Sequence, residues 1–398
     1  MLIVQKYGGA TLETPEKVKA AAERLADLKN DNIQVVAVVS AMGSTTNELI
    51  ALAHKVSSTP HLRELDMLLT VGERISMSLV SIALNDLGHE AISFTGSQAG
   101  ILTDDAHLNA MIKDVKAFRV QEALQKNKIV ILAGFQGVSP NTKEITTLGR
   151  GGSDTSAVAM AAFLKADRCE ILKDVPSIFS ADPKIVAHAR PIDKLHYDQL
   201  LEMTYWGAKV LHYRSVELAK VTKVKLYVGP ANAKNAKSTA TTGTLINEDI
   251  MFESSRPLAV NSHSQVIVIH FKNLDLATAL NQFEQWLTKN NVGMPQILSG
   301  LQQNNMTQLF LTAPHENLAA LKAALEHEPL FTIDSQNYCS VSLTCTGSSL
   351  NQVLKNTTAV LKDKNINPIH FTQSSMSLNY FISQEKKNEA IQALHSLI

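Results

Sequence analysis

The chain is short of cysteine: its 398 residues include only 3, Cys169, Cys339 and Cys345. They are too few and too scattered for a disulfide framework and lack the paired spacing of zinc ligands. An excess of one charge sign is also missing, with 37 basic against 37 acidic residues. That balance argues against a general nucleic-acid binder, though not against a local basic pocket. No uninterrupted apolar run approaches the roughly 20 residues of a membrane helix. The strand-like run Leu2–Val4 followed by Lys6 does not have the layout of a signal peptide. These absences lead us to expect a reduced, cytoplasmic, soluble protein with neither nucleic acid nor membrane as partner. The composition itself is globular, 45% hydrophobic and 19% charged. The length predicts two or three domains at roughly 100–200 residues each.

The first 230 residues alternate β-rich runs with helical stretches, which predicts α/β architecture with a largely parallel sheet between helices. Strands are expected at Leu2–Gln5, Ile33–Val39, Ala91–Phe94, Ile129–Ala133 and Cys169–Leu172. Thr14-Pro15 reads as an N-cap followed by proline at the first helical position. Residues 62–87 read as one long internal helix, apolar nearly all round. Residues 229–244 are polar and read as loop. From about residue 264 a coarse repeat appears, strand–helix–strand–strand–helix, each unit near 65 residues. It includes helices at 277–289, 315–326, 350–364 and 385–397, and fits two ferredoxin-like modules.

Strand ends in the first part carry loops suited to anions, and in open α/β sheets ligands bind beyond the carboxyl ends of the strands. Lys6-Tyr7-Gly8-Gly9-Ala10-Thr11 places backbone N–H groups and a lysine together, without the Gly-Lys-Ser/Thr ending of a Walker A loop. Ser40–Asn47 clusters hydroxyls where a single helix cap needs one. Glu73-Arg74 puts two charges in the apolar helix, and adjacent helical positions do not face each other. Thr146–Thr155 sets Arg150 among glycines before a helix of small residues, where its guanidinium can fork a carboxylate or phosphate. Here Ser153 or Asp154 is equally readable as an N-cap. Residues 173–184 follow another strand with Asp174 and Asp182-Pro183. No metal-ligand cluster and no nucleophile–base pair stands out. The set suits phosphoryl transfer to a carboxylate, which is ionised at neutral pH and needs no general base.

The motifs KYGGAT at 6–11, SAMGSTTNEL at 40–49, LLTVGERIS at 68–76, FTGSQAGILT at 94–103, GFQGV at 134–138, TTLGRGGSDTSA at 146–157 and GAKVLH at 207–212 resemble those of the aspartate kinases, of the amino acid kinase family. The tail resembles tandem ACT modules. The resemblance implies a carbamate kinase-like, mainly parallel sheet sandwiched by helices over 1–246. A linker would follow at 247–263, then ACT-like modules of βαββα(β) type at 264–335 and 336–398. It implies ATP-dependent phosphorylation of the side-chain carboxylate of L-aspartate, the first step toward lysine, threonine and methionine. ATP would be co-substrate, with Mg2+ held mainly by its phosphates.

By the same resemblance Lys6, Asp154 and Lys209 would be catalytic. Thr46, Glu73, Arg150, Gly151, Gly152 and Ser153 would bind aspartate, Glu73 facing its ammonium and Arg150 its α-carboxylate. Lys6, Tyr7, Gly8, Gly9, Ser40, Lys173, Asp174, Phe179, Ser180, Asp182, Lys184 and Lys209 would bind the nucleotide. Lysine or threonine, or both, would act as effector, and the chain would form at least a homodimer through the tail.

Several positions depart from the family pattern. The first loop ends in Ala10-Thr11, Pro176-Ser177 replaces a glycine-bearing turn, Lys184 stands for an arginine and Tyr213 for a proline. If position 177 needs a left-handed backbone, serine there costs on the order of 1 kcal/mol. The Pro-Gly before each module's first helix is missing. The competing expectations are an amino acid kinase with another substrate and a catalytically weakened, amino-acid-sensing paralogue.

Overall fold

The computed structural model describes all residues except 232–242, 250–256, 291, 314–320, 323–324, 326–330 and 346–349. The expected polar loop at 229–244 and the helix at 315–326 therefore fall largely outside the described residues. The chain divides into two compact units. The first comprises Met1–Phe179, Pro191–Thr204 and Lys209–Met251; the second comprises Ser180–Arg190, Tyr205–Ala208 and Phe252–Ile398.

In the first unit the elements run β1 (Leu2–Tyr7), α1 (Pro15–Asn30), β2 (Gln34–Val39), α2 (Thr45–Val56), α3 (Leu62–Leu69), α4 (Val71–Asp86), β3 (Ala91–Phe94), β4 (Ile101–Thr103), β5 (Ile112–Val115), α5 (Phe118–Gln125), β6 (Ile129–Ala133), β7 (Gln136–Val138), β8 (Ile145–Thr147), α6 (Gly152–Leu164) and β9 (Arg168–Lys173). They continue with β10 (Ile178–Phe179), β11 (Pro191–Ile192), β12 (Lys194–His196), α7 (Tyr197–Tyr205), α8 (Tyr213–Thr222), β13 (Leu226–Pro230) and β14 (Thr244–Asn247). The main sheet has the order β12-β14-β13-β9-β1-β2-β6-β3, with β13, β9, β1, β2, β6 and β3 mutually parallel. The central strands Gln34–Val39 and Ile129–Ala133 are almost wholly buried, as the uninterrupted apolar runs of a sheet covered on both faces require. On one face α1 and α4 supply Leu25, Leu28, Val80 and Leu84 to the core. A smaller sheet, β5-β4-β7-β8, stands beside it. Thr14 caps α1 as expected, its Oγ1 accepting from Lys17 N at 3.4 Å, with Pro15 first in the helix.

The single internal helix expected at 62–87 is two helices that meet at Thr70, and it is internal on one side only. Met77, Val80 and Leu84 are buried, whereas Ile75, Leu79 and Ile82 are exposed, Ile82 at 65%. Taken together, Leu62–Asp86 is a helical stretch long and apolar enough to cross a membrane by length and composition, although Arg63, Glu64, Asp66, Glu73 and Arg74 leave it no uninterrupted apolar run.

The second unit contains β15 (Ala259–Lys272), α9 (Leu276–Lys289), β16 (Gln296–Gln303), β17 (Met306–Thr312), β18 (Thr332–Ile333), β19 (Tyr338–Thr344), the helix Leu350–Asp363, β20 (His370–Gln373), β21 (Ser377–Ser383) and the helix Lys387–His395. The long β15 serves two sheets. Its first half pairs with β19, and its second half with β17 and β18. Each sheet carries its own helix-covered core, around Phe271, Phe283 and Leu309 in one and around Val341, Leu378 and Ile391 in the other. Their opposite faces meet through Phe310 and Phe381, ring centroids 4.7 Å apart, and Trp206 joins the same cluster, edge-on to Phe381 at 6.2 Å. The two inserted segments therefore belong to this unit's packing. Val260 N donates to Ser180 O at 2.7 Å, and the Ser180 hydroxyl hydrogen-bonds His395 Nε2 at 2.8 Å.

Candidate active site

Parallel register brings the ends of four strands together: Tyr7 stands beside Val39 and Leu172, and Val39 beside Ala133. Their loops, beginning at Gly8, Ser40, Gly134 and Asp174, open on the same edge. Lys6, one residue from the end of β1, is buried, and its Nζ lies 2.7 Å from Asp154 Oδ1 in the first turn of α6. Burial alone pushes the Asp154 carboxyl up. Lys6, Lys173 and His212 outweigh it and hold the carboxyl below its ordinary range. The Asp154 carboxylate is thus favoured in a site whose burial alone would disfavour it. Burial, with Lys6 nearby, lowers the Lys173 pKa against the pull of Asp154.

The first two loops are pressed together. Gly43 N donates to Gly9 O at 3.1 Å, and a Cβ on Gly9 would stand 2.9 Å from the Ala41 carbonyl oxygen. From the other side, a Cβ on Gly72 of α4 would reach Ala41 Cβ at 2.7 Å. Ala41 N donates to Glu73 Oε1 at 3.0 Å, so the hydroxyl loop is fixed between β1 and α4. Glu73 is 3% exposed, and its Oε2 has no hydrogen-bond partner among the described residues. Burial raises its pKa to about 7, although the Ala41 N–H and Lys6 lower it. A buried carboxyl oxygen without a donor is an exception that calls for a physical reason. Thr46, in the first turn of α2, and Ser40 are half-buried.

The Arg150 turn runs through two left-handed glycines, Gly149 at φ 72° and Gly151 at φ 71°. The N-cap of α6 is Gly151, and no side chain caps it. Ser153 and Asp154 lie within the first turn, which settles the alternative left open by the sequence. Arg150 is exposed, Gly152 and Ser153 are buried, and Lys209 is exposed. His212 covers the turn: a Cβ on Gly151 would fall 2.1 Å from His212 Cβ. Burial, together with Arg214 and Arg150, lowers the His212 pKa against the pull of Asp154, and its buried Nδ1 has no hydrogen-bond partner among the described residues. The GAKVLH motif contains His212, yet the sequence reading drew only Lys209 from it, because the ring's place over Gly151 depends on the tertiary fold.

The amino acid kinase family model matches residues 1–230. Over 405 residues the chain is 40% identical to aspartokinase 2 of Bacillus subtilis, covering 99% of this chain and 97% of that one. It is 39% identical to the aspartokinase of Mycolicibacterium smegmatis over 407 residues, covering 99% and 95%. The chain belongs to the amino acid kinase family, among the aspartokinases. The fold agrees with that of aspartokinase III of Escherichia coli, solved with aspartate and ADP, at a TM-score of 0.77 and 23% identity over 100% of both chains. The chain is therefore a phosphotransferase, an aspartate kinase, with a nucleotide-using catalytic domain followed by ACT-type sheets.

The structure gives the surroundings of four of the expected nucleotide contacts, Tyr7, Ser180, Asp182 and Lys184. Tyr7 turns its side chain into the core: it is 1% exposed, and its hydroxyl donates to Gln5 Oε1 at 2.8 Å. Strand alternation explains this, since neighbouring Lys6 takes the opposite face. Only the Tyr7 backbone can meet a ligand. Ser180, Asp182 and Lys184 lie in the second unit, where Ser180 bonds His395 and Asp182 Oδ1 accepts from Lys184 N at 2.9 Å. Asp174 is exposed and Phe179 half-buried in the first unit. Ser177 is not among the residues with positive φ, so the cost expected for serine there does not arise.

Proposed function

We propose that the loops beyond β1, β2, β6 and β9 bind ATP and L-aspartate side by side, with Lys6 between the reacting groups. The observation that carries this reading is the convergence of the Lys6–Asp154 pair with the unpartnered Glu73 oxygen. Gly8, where a Cβ would stand 3.6 Å from Lys6 Nζ, and Gly9 beside it suit nucleotide phosphates approached by backbone N–H groups and that lysine. Glu73 Oε2 receives the substrate ammonium, Arg150 forks the α-carboxylate, and Thr46 with Gly151, Gly152 and Ser153 shapes that wall. Asp174, Phe179 and Lys173 belong to the nucleotide side, and Lys209 to the phosphates. Mg2+ would be held mainly by the phosphates rather than by side chains of this chain, and would offset their charge.

The side-chain carboxylate attacks the γ-phosphorus, the new O–P bond forms, and the bond to the leaving ADP oxygen breaks. No proton moves, so no base is needed. Asp154 holds the Lys6 ammonium where charge spreads over the transferred phosphoryl oxygens. The ACT-type region takes lysine, threonine or both as effector and pairs two copies of the chain; a monomeric mass by light scattering at micromolar concentration is the result that excludes the pairing.

The test is turnover of the full chain with MgATP and L-aspartate, trapping the acyl phosphate with hydroxylamine, with and without lysine and threonine. We expect turnover in the wild type and its loss in Lys6→Ala. Equal turnover in both removes Lys6 from the mechanism.

A further inference from the structure

We propose that Arg214 and Asp66 are positioning residues for aspartate binding: together they clamp the segment Leu108–Ala110 beneath the glycine turn that carries Arg150. The inference rests on the reading of Arg150 as the fork for the substrate α-carboxylate.

The need for a clamp follows from the turn itself. Arg150 sits between Gly149 and Gly151, both left-handed, and glycine loses more conformational freedom on ordering than any other residue. A fork on such a turn is aimed only if something outside the turn fixes it. Residues 108–110 provide that surface. Ala110 N donates to Thr147 O at 2.9 Å, and a Cβ on Gly149 would stand 2.8 Å from Leu108 O and 3.1 Å from Asn109 Oδ1. Leu108 is itself left-handed at φ 62°, a conformation that a branched, apolar residue holds only when its surroundings impose it.

Asp66 and Arg214 impose it from two sides. Asp66, on α3, is completely buried. Its Oδ1 accepts from Thr147 Oγ1 at 2.5 Å and Leu108 N at 3.1 Å, and its Oδ2 pairs with His107 Nδ1 at 2.6 Å. Arg214, on α8, sends Nη1 to Leu148 O at 2.7 Å and Asn109 Oδ1 at 3.0 Å, and Nη2 to Ala110 O at 2.7 Å. One guanidinium thus joins the residue just before Gly149 to the segment under it, and one carboxylate joins Thr147 to that same segment. A compact lysine ammonium does not reproduce a planar fork with three acceptors.

The experiment compares aspartate KM, ATP KM and kcat for full-length Arg214→Ala, Arg214→Lys, Asn109→Ala, Arg150→Ala and the Arg150→Ala/Arg214→Ala double variant. We expect aspartate KM to rise about tenfold or more in Arg214→Ala, since a small misplacement of a binding group is costly, with ATP KM nearly unchanged. Arg214→Lys and Asn109→Ala fall between it and the wild type. The double variant binds aspartate no worse than Arg150→Ala alone, because residues acting through one another are not additive. Should Arg214→Ala fail to fold, Arg214→Lys and Asn109→Ala decide. Unchanged aspartate KM in both, equal rises for the two substrates, or full additivity in the double variant overturns the clamp. Unchanged aspartate KM in Arg150→Ala overturns the reading of Arg150 and the clamp with it; a defect there with normal Arg214 variants overturns the clamp alone.

Discussion

The proposed pairing of Glu73 with the substrate ammonium would tie a protonation equilibrium to substrate binding. Its ordinary pKa of 4.5 is raised to about 7 by burial. A raised carboxyl favours the folded state in its protonated form. That contribution is complete below 4.5 and is lost as pH rises through about 7. Near neutrality the free enzyme therefore carries a partly protonated Glu73, which must ionise to pair with an ammonium. Aspartate binding should release a fraction of a proton near pH 7, and aspartate KM should fall between about pH 6 and about pH 8. In Glu73→Gln, KM should be high and lack this pH dependence. Steady-state kinetics across that range test it, and a flat wild-type profile removes Glu73 from the ammonium site.

Among the elements, the contact between the start of α4 and the loop after β2 leaves the least room. Gly72 lies where a Cβ would meet Ala41 Cβ at 2.7 Å. Gly72→Ala must push Ala41 aside, and overpacking of this kind costs about 1–3 kcal/mol. We expect a Tm lower by several degrees and a raised aspartate KM, because Ala41 N is the donor that aims Glu73. A Tm and KM equal to wild type disprove the close approach. The same helix shows why an apolar sequence is not always an internal one. Its buried residues face α1 and the sheet, while Ile75, Leu79 and Ile82 lie outward. Composition gives how apolar a helix is; only its neighbours decide how much of it they cover.

For the molecule as a whole, Trp206 shows how far the two units depart from a simple division of the sequence. It is 5% exposed and packs in one cluster with Phe381, Phe310 and Val266 of the ACT-type sheets, although it stands immediately before GAKVLH. Trp206→Ala leaves a large cavity there, and such losses cost about 3–5 kcal/mol. Thermal unfolding should show a destabilised second unit, while Lys6, Asp154 and Glu73 keep their local contacts in the first. Unfolding indistinguishable from wild type disproves Trp206's place in that core.

The sequence by itself determined the strands that meet at the site and the loops that follow them, because uninterrupted apolar runs and glycine-hydroxyl clusters are local signals. It also determined the family, since seven motifs in one order leave little freedom. The Lys6–Asp154 contact, the oxygen of Glu73 without a partner among the described residues and the turn of Tyr7 into the core were decided by tertiary structure, because burial and side-chain direction depend on what packs opposite. His212 over Gly151 and Arg214 beneath Gly149 belong there too: about sixty residues separate each from its partner, a distance no local pattern spans. The membership of 180–190 and 205–208 in the second unit was likewise invisible, since those segments interrupt a catalytic sequence and reveal their allegiance only through Ser180, His395 and Trp206.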